Sequence, residues 1–199
     1  MTLPTWKRKA SIVCLTRITA GLFLSPFFSI KIGGLENLPI KSAFILLPKH
    51  QRWEDIPLLS LATSRPLYYI AKHELFLNPI SRWLLCSMGG IPLNRERPLE
   101  SRRSLKMMME FLKNREGVVI FPEGTYYRNK MGPGHAGLIR MVLSRVALPF
   151  IPVGMIYSKK KGRTLIRVNF GMPVYENLSG NTNRLFNHIM KEIALLSGL

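Results

Sequence analysis

The chain is short of acid. Its 199 residues carry 11 aspartates and glutamates against 29 lysines and arginines, a formal charge of +18 at pH 7, and Asp55 is its single aspartate. A disordered basic tail is excluded, because 47% of the residues are hydrophobic and such a chain must bury them. The excess charge then lies mainly on the surface, where it attracts nucleic acid, anionic lipid or an acidic protein. Cysteine is scarce as well. Cys14 and Cys86 form no C-x-x-C and stand far apart in apolar contexts, so they read as small buried hydrophobes and not as a disulfide or metal site. Nothing in this usage demands an oxidising compartment, and a cytoplasmic setting is the default.

Long apolar runs are missing too. The longest charge-free stretches, residues 18–30 and 146–158, fall short of the roughly 18–20 residues that a spanning helix needs. Residues 10–30 are apolar but interrupted by Arg17 and Pro26, and Trp6-Lys7-Arg8-Lys9 precede them with an aromatic and three cations suited to lipid headgroups. The order is basic then apolar, as in a signal peptide, without a clear small-residue cleavage site. The expectation is a retained helix lying in or dipping into a membrane face, with residues 1–32 as this segment and 33–199 as the folded domain. The alternative is a buried core helix with Arg17 reaching out to solvent.

At this length one domain with a real core is expected. Ala43-Phe44-Ile45-Leu46-Leu47-Pro48 reads as a buried strand, and Asp55-Ile56-Pro57 as a helix start with an Asp N-cap and proline in the first turn. Residues 66–71 form the next strand, and 80–88 an apolar helix ended by Gly89-Gly90. After the short strand 91–93, Leu105, Met108, Met109 and Leu112 fall at i, i+3, i+4 and i+7, the mark of an amphipathic helix with its methionines in the core; Gly117 ends it. Strand 118–121, a helix carrying Ile139, Val142, Leu143 and Val146, strands 149–156 and 164–170, and a final helix with Phe186, Ile189, Ile193 and Leu196 on one face complete the chain. Alternating strands and helices of this size predict a single α/β domain, with a largely parallel or mixed central sheet flanked by helices.

No G-x-x-x-x-G-K-[ST], G-x-S-x-G or H-E-x-x-H is present, so neither a covalent nor a metal mechanism has support. Gly132-Pro133-Gly134-His135-Ala136-Gly137 matches G-x-G-x-x-G, but it follows a long loop, Pro133 lacks an amide donor, and no acidic residue stands about 20 positions on. It reads as a helix N-terminus that could accept an anion, not as a dinucleotide site. The polar residues at predicted strand ends are His50 with Asp55, Lys72, Asn94-Arg95 and Glu123-Gly124-Thr125. Parallel strands would gather them at one sheet edge. Each has a dull alternative as a surface charge or a turn, but together they offer a base, a carboxylate to orient it, and cations for a phosphate.

His50-x-x-x-x-Asp55, Ile91-Pro92-Leu93-Asn94-Arg95, Phe121-Pro122-Glu123-Gly124-Thr125 and Ile151-Pro152-Val153-Gly154 stand in the order and approximate spacing of the four motifs of the glycerolipid acyltransferases. Over roughly residues 33–175 the chain most resembles the 1-acyl-sn-glycerol-3-phosphate acyltransferases. The resemblance implies the glycerol-3-phosphate acyltransferase-like fold and a magnesium-independent acyl transfer, with no cofactor. The donor would be a thioester of acyl carrier protein or coenzyme A, and the acceptor a glycerolipid hydroxyl. Carried over by motif, His50 is the general base and Asp55 its orienter; Arg95, on the phosphate, and Glu123, Gly124 and Thr125 bind the acceptor, with Lys72 at the same edge. The enzyme would work at the cytoplasmic face of a membrane, its basic surface serving anionic lipid and, with that donor, the acidic carrier protein.

Two departures concern the acceptor headgroup. The third motif often continues with arginine, where Tyr126-Tyr127 stand here, and the next cation is Arg128, which would substitute as a phosphate ligand. The residue before the catalytic histidine is often asparagine and here is Lys49. A different lyso-phospholipid or glycolipid acceptor is the near alternative. A catalytically inert lipid-binding relative is disfavoured by the presence of His50, Asp55 and Glu123. A basic nucleic-acid-binding domain is the distant alternative, and no helix-turn-helix or stacking strand supports it.

Overall fold

The computed structural model describes residues 8–94, 98–143, 148–160, 162–175 and 182–199, without the side chains of 98–101 and 143. Seven strands form one sheet in the order β1-β7-β6-β2-β5-β3-β4. They are β1 (Phe28–Gly33), β2 (Phe44–Pro48), β3 (Leu67–Lys72), β4 (Gly90–Leu93), β5 (Gly117–Val119), β6 (Phe150–Lys160) and β7 (Arg163–Phe170). β2 through β6 run parallel to one another, while β1 and β7 pair in parallel with each other and against that direction, so the sheet is mixed. The carboxyl ends of β2, β5, β3 and β4 therefore share one edge, which is the arrangement the parallel reading requires.

The strand pleat divides the core. Ile45 and Leu47 of β2 face a layer made by α4 (Pro98–Lys113), α5 (Ala136–Leu143) and α6 (Thr182–Leu196), where Met108, Ile139, Ile189 and Ile193 are buried. Phe44 and Leu46 point the other way, onto α1 (Ala10–Leu24) and α2 (Asp55–Ala62), which contribute Leu24, Leu58, Leu59 and Ala62. Met108 is a core residue, as the helical spacing predicts, but Met109 is only partly buried, and Met107, which lies outside that stripe, is buried in its place. α3 (Pro79–Ser87) packs beside β4 at the sheet's rim and supplies no side chain to either cluster.

Several expectations shift. The N-terminal helix stops at Leu24, where Ser25-Pro26 cannot continue it, and Phe28–Gly33 become an edge strand paired with β7. The sheet thus begins inside the segment assigned to 1–32, and an apolar run that reads as one helix holds two elements. Asp55 is the first residue of α2 and not its cap; Glu54 holds the cap position and makes no side-chain cap bond. α4 ends at Lys113, Arg115 takes a left-handed φ of 62°, and Gly117 opens β5. A β-carbon at Gly117 would lie 2.5 Å from the Phe44 ring, so close packing explains that glycine. Both cysteines are free, but Cys14 is exposed on α1 and only Cys86 is partly buried, which pushes its thiol up to about 11. Val146, Arg95, Trp6 and Lys7 lie outside the described residues. Among those residues no helix is long and apolar enough to cross a membrane.

Candidate active site

β2 ends at Pro48, whose ring cannot donate to a sheet ladder, and the chain leaves the sheet with Lys49, His50 and Gln51 all buried. The His50 Nδ1 lies 3.0 Å from Asp55 Oδ2. That same oxygen accepts the backbone N–H of Gln51 at 2.6 Å and of Arg52 at 2.8 Å, while the Tyr157 hydroxyl donates to Oδ1. Asp55 has no solvent exposure, so these donors replace the water it has lost. An acceptor carboxylate at Nδ1 makes that nitrogen the protonated one and leaves the lone pair on Nε2. The imidazole is also held by rings. Phe121 stacks on it at 3.9 Å between centroids and Tyr126 meets it edge-on at 4.4 Å.

Tyr157 was not foreseen from the sequence. It stands on β6 beyond Ile151-Pro152-Val153-Gly154, and no spacing rule links it to Asp55, 102 residues away. Burial, then the negative charge of Asp55, hold its phenol well above the ordinary tyrosine range, so it donates throughout neutral pH. The Arg52 guanidinium lies over its ring, 4.7 Å from the centroid.

The second assembly is an ion pair. Lys49 and Glu123 are both without solvent exposure, and Lys49 Nζ donates to Glu123 Oε1 at 2.8 Å and Oε2 at 2.7 Å. Lys49 also donates to the Tyr127 carbonyl at 2.7 Å and the His50 carbonyl at 3.3 Å. Glu123 accepts the backbone N–H of His50 at 2.9 Å and of Gly132 at 2.7 Å. The glutamate expected on the acceptor is therefore turned inward, its oxygens taken by protein donors. It fastens the turn of the third motif to the backbone of His50. Lys49, which the sequence marks only as a departure, is its counter-ion.

The remaining predicted residues divide. Gly124, at φ 67°, makes the turn after Glu123, and Thr125 behind it is exposed. Tyr127 N donates to the His50 carbonyl at 2.9 Å and Asn129 N to Gln51 Oε1 at 2.9 Å, which brackets the exposed Arg128 beside the histidine. Lys72 is exposed at the end of β3, on the same sheet edge. The predicted phosphate ligand Arg95 lies outside the described residues. Of the G-x-G-x-x-G segment, Gly132 N is spent on Glu123 and His135 N on the Pro122 carbonyl, which leaves those two amides no anion to receive. Among the described residues no three His, Cys, Asp or Glu side chains gather as metal ligands.

A cavity of about 1100 Å³ opens between α4, α5 and the ends of β4 and β5. Leu105, Met109, Ile120 and Met141 give it apolar walls, with Arg102 and Lys106 also lining it. Phe121 belongs to its lining and also stacks on His50, so one ring separates the cavity from the histidine.

Comparison with known proteins places these features. Residues 29–156 match the family model described as "Acyltransferase". The chain is 32% identical over 149 residues to the chloroplastic 1-acyl-sn-glycerol-3-phosphate acyltransferase BAT2 of Brassica napus, covering 73% of this chain and 42% of that protein. It is 31% identical over 170 residues to a 1-acyl-sn-glycerol-3-phosphate acyltransferase of Pseudomonas aeruginosa, covering 85% and 53%. The chain thus spans about half the length of the curated relatives it matches. The crystal structure of the 1-acyl-sn-glycerophosphate acyltransferase PlsC from Thermotoga maritima superposes with a TM-score of 0.69 at 23% identity, over 95% of this chain and 79% of that one, and so shares the fold.

Proposed function

Because the chain belongs to the acyltransferase family, we propose that it moves a fatty acyl group from a thioester, of acyl carrier protein or coenzyme A, to the sn-2 hydroxyl of 1-acyl-glycerol-3-phosphate, giving phosphatidate. The observation that carries the mechanism is the 3.0 Å contact between His50 Nδ1 and Asp55 Oδ2. It leaves Nε2 as the proton acceptor. The acceptor hydroxyl gives its proton to Nε2 as its oxygen attacks the thioester carbonyl. The tetrahedral adduct collapses, the carbon–sulfur bond breaks, and the sulfur leaves with the proton that the imidazolium returns. No enzyme-bound acyl group is needed. Asp55 orients the ring and offsets the charge it gains in the transition state.

The acceptor's phosphate is assigned to Arg95, Arg128 and Lys72, with the Gly124-Thr125 turn beside it. An apolar cavity that ends at Phe121 suits a fatty chain presented to His50. α1 is the candidate membrane-associating element: it buries only Val13 and Leu24, while Leu15, Ile18, Leu22 and Phe23 face outward. Association with the cytoplasmic face of a membrane is part of this reading, supported by that surface and by the net charge of +18, which favours anionic lipid.

The test is acyl transfer to 1-acyl-glycerol-3-phosphate from both donors, in detergent and in liposomes. Phosphatidate is the expected product. Transfer only to some other lyso-lipid would reassign the acceptor, and no transfer by the folded chain to any of them would reject the reading.

A further inference from the structure

α3 is built inside out. A helix on a globular protein normally turns its apolar stripe toward the core, yet the only fully buried residue of α3 is Ser87. Leu77, Ile80 and Leu84 repeat at i, i+3 and i+7 and are 67%, 77% and 39% exposed, with Trp83 beside them at 56%. Leu75, just ahead of the helix, is 54% exposed. The helix is held by other means. The Asn78 side chain caps its N-terminus through the amides of Ile80 and Ser81, and the Ser87 carbonyl receives the N–H of Lys9 at 2.9 Å. An outward stripe of this kind marks a contact surface.

The geometry points to a lipid bilayer as what this stripe meets: α3 is a second membrane-contacting element, separate from α1, that seats the catalytic edge of the sheet on the membrane. Three observations carry this. Cations flank the stripe as they do at headgroup level, with Lys9 Nζ 5.6 Å from the centre of the Trp83 ring and Arg82 exposed next to it. The chain as a whole has a charge of +18, which fits an anionic surface and disfavours a second copy of itself. The stripe also starts a few residues past Lys72, at the edge where His50 emerges, and Trp53, in the loop between His50 and Asp55, is 57% exposed there too. A lyso-lipid could then pass from bilayer to base without crossing water. The inference rests on the bilayer acceptor proposed above, but on different residues.

The experiment uses the full chain with Trp6→Phe and Trp53→Phe, so that Trp83 is the only tryptophan, and vesicles of phosphatidylglycerol and phosphatidylcholine with brominated acyl chains. Trp83 emission should fall about twofold or more and shift to the blue on binding. In the wild-type background, Leu77→Ser with Ile80→Ser should lower vesicle partition about 10–100-fold while leaving thermal unfolding and transfer to a short-chain, monomeric lyso-acceptor unchanged. If the chain still sediments with vesicles but Trp83 is not quenched, α1 carries the contact and this inference is wrong while the bilayer reading stands. If nothing sediments and transfer proceeds in detergent, this inference and the membrane surface fall together while the acyl transfer survives. If the double variant changes only the molecular mass by light scattering, the stripe joins two copies, which also overturns it.

Discussion

Lys49 and Glu123 meet in the interior with no solvent on either side chain, the ammonium within 2.8 Å of both carboxylate oxygens. They are 74 residues apart in the chain and join the end of β2 to the turn that follows β5. Removing one partner leaves the other charge buried and unpaired, which typically costs about 3–5 kcal/mol. Lys49→Met and Glu123→Gln should each lower the unfolding free energy by about that much in denaturant titrations, and combining them should cost less than the sum. Additive losses would mean that the two groups do not depend on each other.

Tyr157→Phe removes the hydroxyl that donates to Asp55 Oδ1 and little else. A buried acceptor that loses its donor costs about 1–3 kcal/mol of stability. The imidazole is then held by a less constrained carboxylate, so kcat should fall by about tenfold, a loss of roughly 1.4 kcal/mol, with the acceptor KM nearly unchanged. An unaltered kcat would remove Tyr157 from the positioning of His50.

Arg128→Ala should act in the opposite way. The backbone bonds of Tyr127 and Asn129 hold the backbone of Arg128 beside His50, and the proposed reaction assigns its guanidinium to the acceptor's phosphate. Losing a charge-assisted contact of about 1.5–3 kcal/mol should raise the acceptor KM roughly 10–100-fold at nearly constant kcat. An unchanged KM, measured with the same acceptor, would release Arg128 from that role.

Alkaline pH should weaken the fold through Cys86. Burial raises its thiol from the ordinary value of 9.0 to about 11. Above pH 9 the unfolded chain gives up this proton and the folded chain keeps it, so the unfolded state binds fewer protons and stability falls as pH rises toward 11. The full contribution is present below pH 9. Guanidinium melts at pH 8 and pH 10.5 should show a smaller alkaline loss in Cys86→Ala than in wild type; equal losses would assign the effect elsewhere.

Much of this site can be read in the chain. The apolar run 43–48 is β2, the five-residue spacing does bring His50 onto Asp55, and the strand ends do share an edge, because buried strands and local spacings are written in neighbouring residues. β1 is hidden because Phe28–Gly33, half-exposed at a sheet edge, looks like the tail of the apolar helix before it. The inward turn of Glu123 and the donor from Tyr157 are hidden for another reason. Both are contacts between segments that only the folded sheet brings together, and a motif records which residues stand in line without saying which way they face. Lys49 was the available signal, since a lysine placed at the end of a buried strand demands a counter-ion.

In the proposed reaction His50 takes the acceptor's proton. The direct measurement is the rate of phosphatidate formation by His50→Ala beside wild type, with folding checked by circular dichroism. Loss of a general base predicts a rate lower by about 10²–10⁴ with both donors and an intact fold. A folded variant that keeps more than about a tenth of the wild-type rate would contradict it.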